Sequence, residues 1–271
     1  MLRSLHCGRA VVVASLSDDT VLDLSGGSMA NQARLVLLQP EGMTTGFDWI
    51  GKLTDALSRL PSVREKITQI VDFQRNDVWC KTFGEVGYPL KPFTGALSIY
   101  SSDVESLKEL ISTILSENEI TDSLPVWLVG YDETKMTNPP KDPSKPLAKF
   151  MGLIIRNPNL TTPEFHSHWS GPHAALFCSK PLPQQKVVIY TQFHSSPEWT
   201  KDFAQLGLNV AEYEGIVELW FDTLEDMVAV FASPEHIEAM MPDEAIFVNL
   251  EKSGVMIGCE TVETKKYTAA S

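Results

Sequence analysis

The sequence predicts an α+β protein in which two β-α-β-β-α-β units, one after the other in a single chain, close on each other as a barrel. Three observations predict it. Short apolar runs bounded by Pro, Gly or charged residues alternate with segments of helical spacing. The order of these segments in residues 31–137 returns in residues 149–260. Between the two copies, residues 138–148 carry four prolines within Asn138–Pro146, which suits a linker and neither a helix nor a central strand.

In the first copy, Ala33–Gln39 is an apolar run ending at Pro40 and Gly42, as a buried strand would. Phe47–Leu60 sets Trp49, Ile50, Leu53, Leu57 and Leu60 at helical spacing and stops at Pro61. Ile67–Phe73 and Phe93–Tyr100 read as strands. Ser102 and Asp103 can cap the next helix, whose apolar stripe is Val104, Leu107, Leu110, Ile111 and Ile114. Val126–Tyr131 is the fourth strand. In the second copy, Phe150–Ile155 is a strand and Thr161 or Thr162 with Pro163 and Glu164 starts a helix. Val187–Phe193 and Gly215–Phe221 are strands, and Thr223–Met240 reads as one helix. Ala245–Leu250 opens the last strand, which continues towards Ile257. Each unit is ferredoxin-like, a four-stranded sheet with two helices on one face. The bare face needs cover, and two such sheets facing each other supply it within one chain.

Residues 1–30 read as a flexible leader and 261–271 as a tail. Arg3 and Arg9 precede Val11–Val13, and no acid appears before Asp18. Residues 1–28 therefore carry some marks of a mitochondrial presequence. Ser25-Gly26-Gly27-Ser28 suits a linker, and Met29 suits the start of the folded part.

Lys and Arg total 22 against 35 Asp and Glu, for a net charge of -13. Such a surface repels nucleic acid and anionic lipid. Apolar runs such as Ala10–Ala14 fall far short of the ~18 residues that cross a bilayer. Cys7, Cys80, Cys178 and Cys259 form no C-x-x-C pair, so reduced thiols and a cytoplasmic protein are expected, with the mitochondrion as the alternative.

One segment is more specific: Thr162-Pro163-Glu164-Phe165-His166-Ser167-His168-Trp169-Ser170-Gly171-Pro172-His173. It resembles the first helix of the EthD family of the dimeric α/β-barrel superfamily. The run Tyr213–Asp222 resembles that family's third strand, and Phe231–Glu235 the end of its second helix. The likeness covers about residues 150–258 and leans fungal. The first half looks like a diverged copy, with Phe47-Asp48-Trp49 on its helix and no histidine after it. The resemblance implies a fused pseudo-dimer forming an intrachain dimeric α/β barrel. One departure is the Gly171-Pro172 pair, which precedes His173. Pro172 cannot donate to His168, so a kink or an end is expected there, turning His173 elsewhere.

On a regular helix Phe165, Trp169 and His173 share a face, flanked by His166 and His168. These imidazoles titrate near neutral pH and can remove a proton beside a carbonyl. His173, His168, His166 and Glu218 are the candidate catalytic residues. Trp169, Phe165, Tyr190, Gln192, His194 and Trp220 are the candidate binding residues. Tyr190, Gln192 and His194 alternate onto one side of their strand, as do Ile216, Glu218 and Trp220 on theirs. Plainer roles suit the same residues: Trp169 as core, His166 and His168 as surface groups, Glu218 as a buried acid. His236 sits near a helix end and needs no function. The histidine spacing is not that of a metal site, and no phosphate loop or nucleotide fingerprint is present, so no metal and no cofactor are expected.

The expected function is a cofactor-free acid–base enzyme on a hydrophobic aromatic or polyketide-like small molecule. The resemblance implies a dehydratase-type lyase. A cofactor-independent oxygenase, a C–C lyase or cyclase, and a non-catalytic binding barrel are the alternatives. The expected partner is that small molecule, with neither nucleic acid nor membrane, on a monomeric pseudo-dimer or a homodimer.

Overall fold

A computed structural model describes residues 32–41, 49–117 and 126–263. The leader, Phe47 and Asp48, and residues 264–271 lie outside the described residues. The first half runs β1 (Ala33–Pro40), α1 (Trp49–Arg59), α2 (Pro61–Arg64), β2 (Ile67–Arg75), α3 (Asp77–Gly84), β3 (Phe93–Ser101), α4 (Val104–Glu117) and β4 (Val126–Thr137). The second half opens with β5 (Ala148–Ile154) and α5 (Thr162–His168). A π-helical turn (Trp169–His173) then leads into α6 (Ala174–Ser179), α7 (Pro181–Lys186) and β6 (Val187–Ser195). It ends with α8 (Pro197–Ala204), β7 (Gly215–Phe221), α9 (Leu224–Phe231), a second π turn (His236–Met240), α10 (Met241–Phe247) and β8 (Gly254–Glu263).

Three expectations change. The helix expected over Thr223–Met240 ends at Phe231, because Pro234 lacks an N–H and cannot follow in a regular helix. Ser233 restarts the chain by accepting from the His236 amide. Ala245–Leu250 is not the opening of the last strand. Its first half, Ala245–Phe247, falls on α10, where Pro242 stands in the first turn with Asp243 and Glu244. Several short helices were not expected at all, α3 and α8 among them. Asn76 caps α3 through the amides of Val78 and Trp79, and Ser196 caps α8 through that of Trp199.

The eight strands close into one antiparallel barrel in the order β1-β3-β2-β8-β5-β7-β6-β4. Read from β4, the ring is β4-β1-β3-β2 followed by β8-β5-β7-β6, the same order twice. The register repeats too. Ala33 pairs with Ser101 and Leu37 with Leu97, as Ala148 pairs with Phe221 and Gly152 with Val217. Strand alternation then gives each strand an inner and an outer face. Outside, α1 and α4 lie over Leu35, Leu37 and Ile99, while the second half's helices lie over Phe150, Val217 and Leu219.

The barrel interior is part apolar and part ionic. Val36, Met151, Phe193, Ile216 and Met256 pack in it. Beside them Arg34 grips Glu218 with two hydrogen bonds of 2.6 and 2.8 Å, and donates also to Asp132 at 3.0 Å and to Ser98 at 2.8 Å. Lys149, at the register position of Arg34, lies 2.7 Å from Glu218 and 2.6 Å from Glu260. Trp220 donates to Glu260, and the Lys149 ammonium sits 4.2 Å from the Trp220 ring centroid. Charges this deep persist only when paired. Among the described residues Cys80 and Cys178 are free, and Cys259 is disulfide-bonded, against the expectation of reduced thiols throughout. No helix among the described residues is long and apolar enough to cross a membrane.

Candidate active site

Thr161 opens the helix that carries the histidines. Its hydroxyl accepts from the Glu164 amide, and the Glu164 carboxylate accepts from the Thr161 amide in return. Phe165 and Trp169 are fully buried on the inward side. Pro172 does not end the helix. The chain widens into a π turn over Trp169–His173 and continues as α6, with the Ala174 amide donating to the Gly171 carbonyl. A widened turn brings residues five apart closer to one side. His168 and His173 consequently reach the same carboxylate, Asp243 of α10: His168 Nε2 at 3.0 Å and His173 Nδ1 at 2.7 Å. The expectation that Pro172 turns His173 away is corrected by this geometry.

A cavity of about 450 Å³ lies between the outer face of the second half's sheet and its helices. Its walls are mainly apolar: Phe150, Val217, Leu219, Phe231 and Phe247, with Trp169 and Tyr190. Two glycines give it shape. A Cβ on Gly152 would come within 2.6 Å of the Val217 Cγ1, and a Cβ on Gly215 would run into the Trp169 indole, which lies against that glycine. The polar groups on the wall are few: His173, Tyr88, His236, Glu244, Glu251 and Ser253.

Burial lowers the His173 imidazole below its ordinary range, against the opposing pull of Asp243, and so keeps it neutral near pH 7. With the Asp243 carboxylate accepting, the Nδ1 of His173 donates and Nε2 carries the lone pair. A cavity-lining imidazole in that tautomer can act as a general base. Nearby, Tyr88 Oη lies 2.6 Å from His236 Nε2. Burial, with Asp243 beside it, pushes Glu244 up to about 8. Burial, with His173 beside it, pushes His236 down to about 4.

Of the predicted residues, the structure brings His173, Trp169 and Tyr190 to the cavity wall and sets His168 behind it on Asp243. Phe165 packs beneath, its ring 5.4 Å from that of Trp169. Gln192 donates to the Trp169 carbonyl at 2.9 Å and to the Tyr190 hydroxyl at 2.6 Å, which places it behind both walls. His166 and His194 lie off the cavity and face each other, Nδ1 to Nδ1 at 2.8 Å. Burial, then His166, pushes His194 down to about 3.

Glu218 and Trp220 point the other way, into the barrel. Burial alone would raise Glu218, but Arg34 and Lys149 outweigh it and hold the carboxyl at about 2. A permanently ionised group on the opposite face of β7 cannot hand a proton to a molecule in the cavity.

Asp243, Glu244, His236 and Tyr88 were not among the predicted residues. For Asp243 and Glu244 a signal existed: Met241-Pro242-Asp243-Glu244 has the same Pro-then-acid start as Thr162-Pro163-Glu164. Tyr88 had none, because it arrives from the first half of the chain. Among the described residues, no group of three or more His, Cys, Asp or Glu is placed to hold a metal ion.

Comparison with known proteins agrees with the second half. Residues 157–251 match the EthD domain. A stretch of 107 residues, 38% of this chain, is 27% identical to the dehydratase aurZ of Gibberella zeae and covers 70% of it. The fold is similar to the crystal structure of an anthrone oxidase-like protein, with a TM-score of 0.51 at 11% identity over 89% of this chain and 96% of that one.

Proposed function

Taking as premise a chain that carries an EthD domain at residues 157–251, we propose that it is a cofactor-free acid–base enzyme that dehydrates a hydrophobic aromatic or polyketide-like ketol. One observation carries this reading: the His173–Asp243 pair at the wall of an otherwise apolar cavity. The dehydratase name of the aurZ relative supports the same reaction class. The tandem ferredoxin-like architecture is supported by the twice-repeated strand order and register.

In the proposed reaction Trp169 and Tyr190 hold the ring. His173 Nε2 takes the acidic C–H proton beside the carbonyl, and Asp243 stabilises the imidazolium that results. The imidazolium then returns the proton to the departing hydroxyl, which leaves as water. No electrons change hands. The apolar walls exclude bulk water and strengthen the pairing of charges inside.

The test incubates the protein with hydroxylated aromatic and polyketide-type ketones, in air and under nitrogen, and reads products by mass. Loss of one water in both atmospheres is the expected result. Oxygen-dependent gain of an oxygen atom would replace the reading with the oxygenase, and retention of an unchanged ligand would replace it with the binding barrel. His173→Ala should lower turnover by about 10²–10⁴. Unchanged turnover by a folded variant would remove His173 from the role of base.

A further inference from the structure

Three polar groups on the cavity wall have no part in the chemistry above: Tyr88, His236 and Glu244. Tyr88 comes from the loop between α3 and β3 of the first half, His236 from the second π turn, and Glu244 from α10. They meet closely. Tyr88 Oη is 2.6 Å from His236 Nε2, and His236 Nε2 lies 3.7 Å from Glu244 Oε1. We propose that these three residues form a hydrogen-bond donor site for one oxygen of the bound molecule, which is a ring ketone held by its carbonyl or the phenol formed from it. The role of His173 rests on the reading above. The donor site does not.

The argument is a count of protons. With its carboxyl pushed up to about 8, Glu244 keeps its proton at neutral pH, and His236 at about 4 is the neutral imidazole. Neutral His, Tyr and protonated Glu each carry one donor hydrogen, three in all. Among the described residues one hydrogen bond joins them, between Tyr88 and His236. If Tyr88 donates to His236 Nε2, the hydrogens left over are those of the Glu244 carboxyl and of His236 Nδ1, a nitrogen that is buried and has no partner among the described residues. If His236 donates to Tyr88, they are those of the Glu244 carboxyl and the Tyr88 hydroxyl. Either way the cavity wall keeps a donor hydrogen, on Glu244, that a ligand oxygen can accept.

The surroundings define that acceptor. Among the described residues no Lys or Arg lines the cavity. The ammonium of Lys91, behind Gly254, is bonded to the Lys252 carbonyl and lies 5.7 Å from the Tyr213 ring centroid. Facing the three donors are Asp243 behind His173, and Glu251. A ligand carboxylate would bring a full charge beside these acids with no cation to meet it. A carbonyl or phenol brings none. A neutral carboxylic acid paired with a tyrosine in an apolar site is a known way to stabilise the oxygen of an enolate. In the step proposed here, the C–H electron pair moves onto the carbonyl oxygen as His173 takes the proton. The donor site holds that oxygen until the pair returns to expel hydroxide from the neighbouring carbon, and His173 protonates the hydroxide to water.

The experiment needs no turnover. The protein is titrated at pH 7 with 2-naphthol, naphthalene and 2-naphthoate, and the fluorescence of each is followed. Naphthol should bind at least about tenfold tighter than either of the others, and Tyr88→Phe and Glu244→Met should each erase about tenfold of that advantage. Naphthalene affinity should stay unchanged in both variants, which reports that the cavity has folded. Equal affinity for naphthol and naphthalene, preference for naphthoate, no binding of any probe, or an advantage that survives both variants would overturn the proposal. Failure of every ketol to react would count against the dehydratase reading and leave this result standing.

Discussion

The two halves share strand order and register, and they use the outer face of their sheets differently. In the first half Leu35, Leu37, Leu97 and Ile99 fill the space beneath α1 and α4. In the second, Gly152 stands at the register position of Leu37, and a cavity opens above it. The loops that cross between halves follow the same rule. Gly87 and Gly207, both with positive φ, precede Tyr88 and Leu208. Leu208 joins the first half's apolar cluster, while Tyr88 brings a hydroxyl to the second half's cavity. All the histidines beyond residue 31 belong to the second half. One barrel therefore carries a packed face and a hollow one, and a change from Leu to Gly and from Leu to Tyr at matched positions goes with that difference.

The barrel interior joins the halves, and breaking it should give the largest effect on stability. Glu218→Ala strips Arg34 and Lys149 of their shared carboxylate in a fully buried site. The expected loss is about 3–5 kcal/mol of unfolding free energy. Turnover per folded molecule should persist, because Glu218 faces away from the cavity. Urea titration with activity measured in parallel checks both. A stable but inactive variant would return Glu218 to the chemistry.

The next test exchanges the matched residues. Leu37→Ala hollows the packed face and should cost about 2–5 kcal/mol, the usual price of a core Leu truncation. Gly152→Leu fills the hollow face. Its side chain meets Val217 at once, so overpacking of about 1–3 kcal/mol is expected together with loss of naphthol binding. If Gly152→Leu binds naphthol as the parent does, the cavity above Gly152 is not the binding site.

These contrasts also mark what the sequence alone could show. The strands were readable because apolar runs are bounded by breakers, and β7 falls on Gly215–Phe221 as expected. The capping signals of Thr161 and Glu164 were readable because they are local. The network around Glu218 was not, since its partners Arg34 and Lys149 are far away in sequence and meet only when the ring closes. Trp169 and His173 were found through the helix pattern and the family likeness. Asp243, which orients His173, was hidden by reading Ala245–Leu250 as a strand: the apolar residues Ile246, Phe247 and Val248 suit either structure when taken in isolation.

The last contrast is read by pH and sets Glu244 against the buried histidines. Glu244 has an ordinary carboxyl value of 4.5 when exposed and about 8 in the folded protein. Between these values the folded state keeps a proton that the unfolded state has lost. Stability therefore falls as pH rises from about 4.5 to about 8, by at most about 1.4 kcal/mol per pH unit, and levels off above. The buried histidines act with the opposite sign. His194, lowered to about 3 from 6.5, costs stability as pH falls below 6.5. Glu244→Gln should remove the fall between pH 6.5 and pH 8 and steepen the loss below pH 6.5, where the carboxyl and the histidines oppose each other, read as urea midpoints from pH 5 to pH 9. A slope unchanged in Glu244→Gln would mean that the carboxyl is ionised at neutral pH. Glu244 would then have no hydrogen to donate, and the donor site proposed on the hollow face would lose the member that is free in either arrangement.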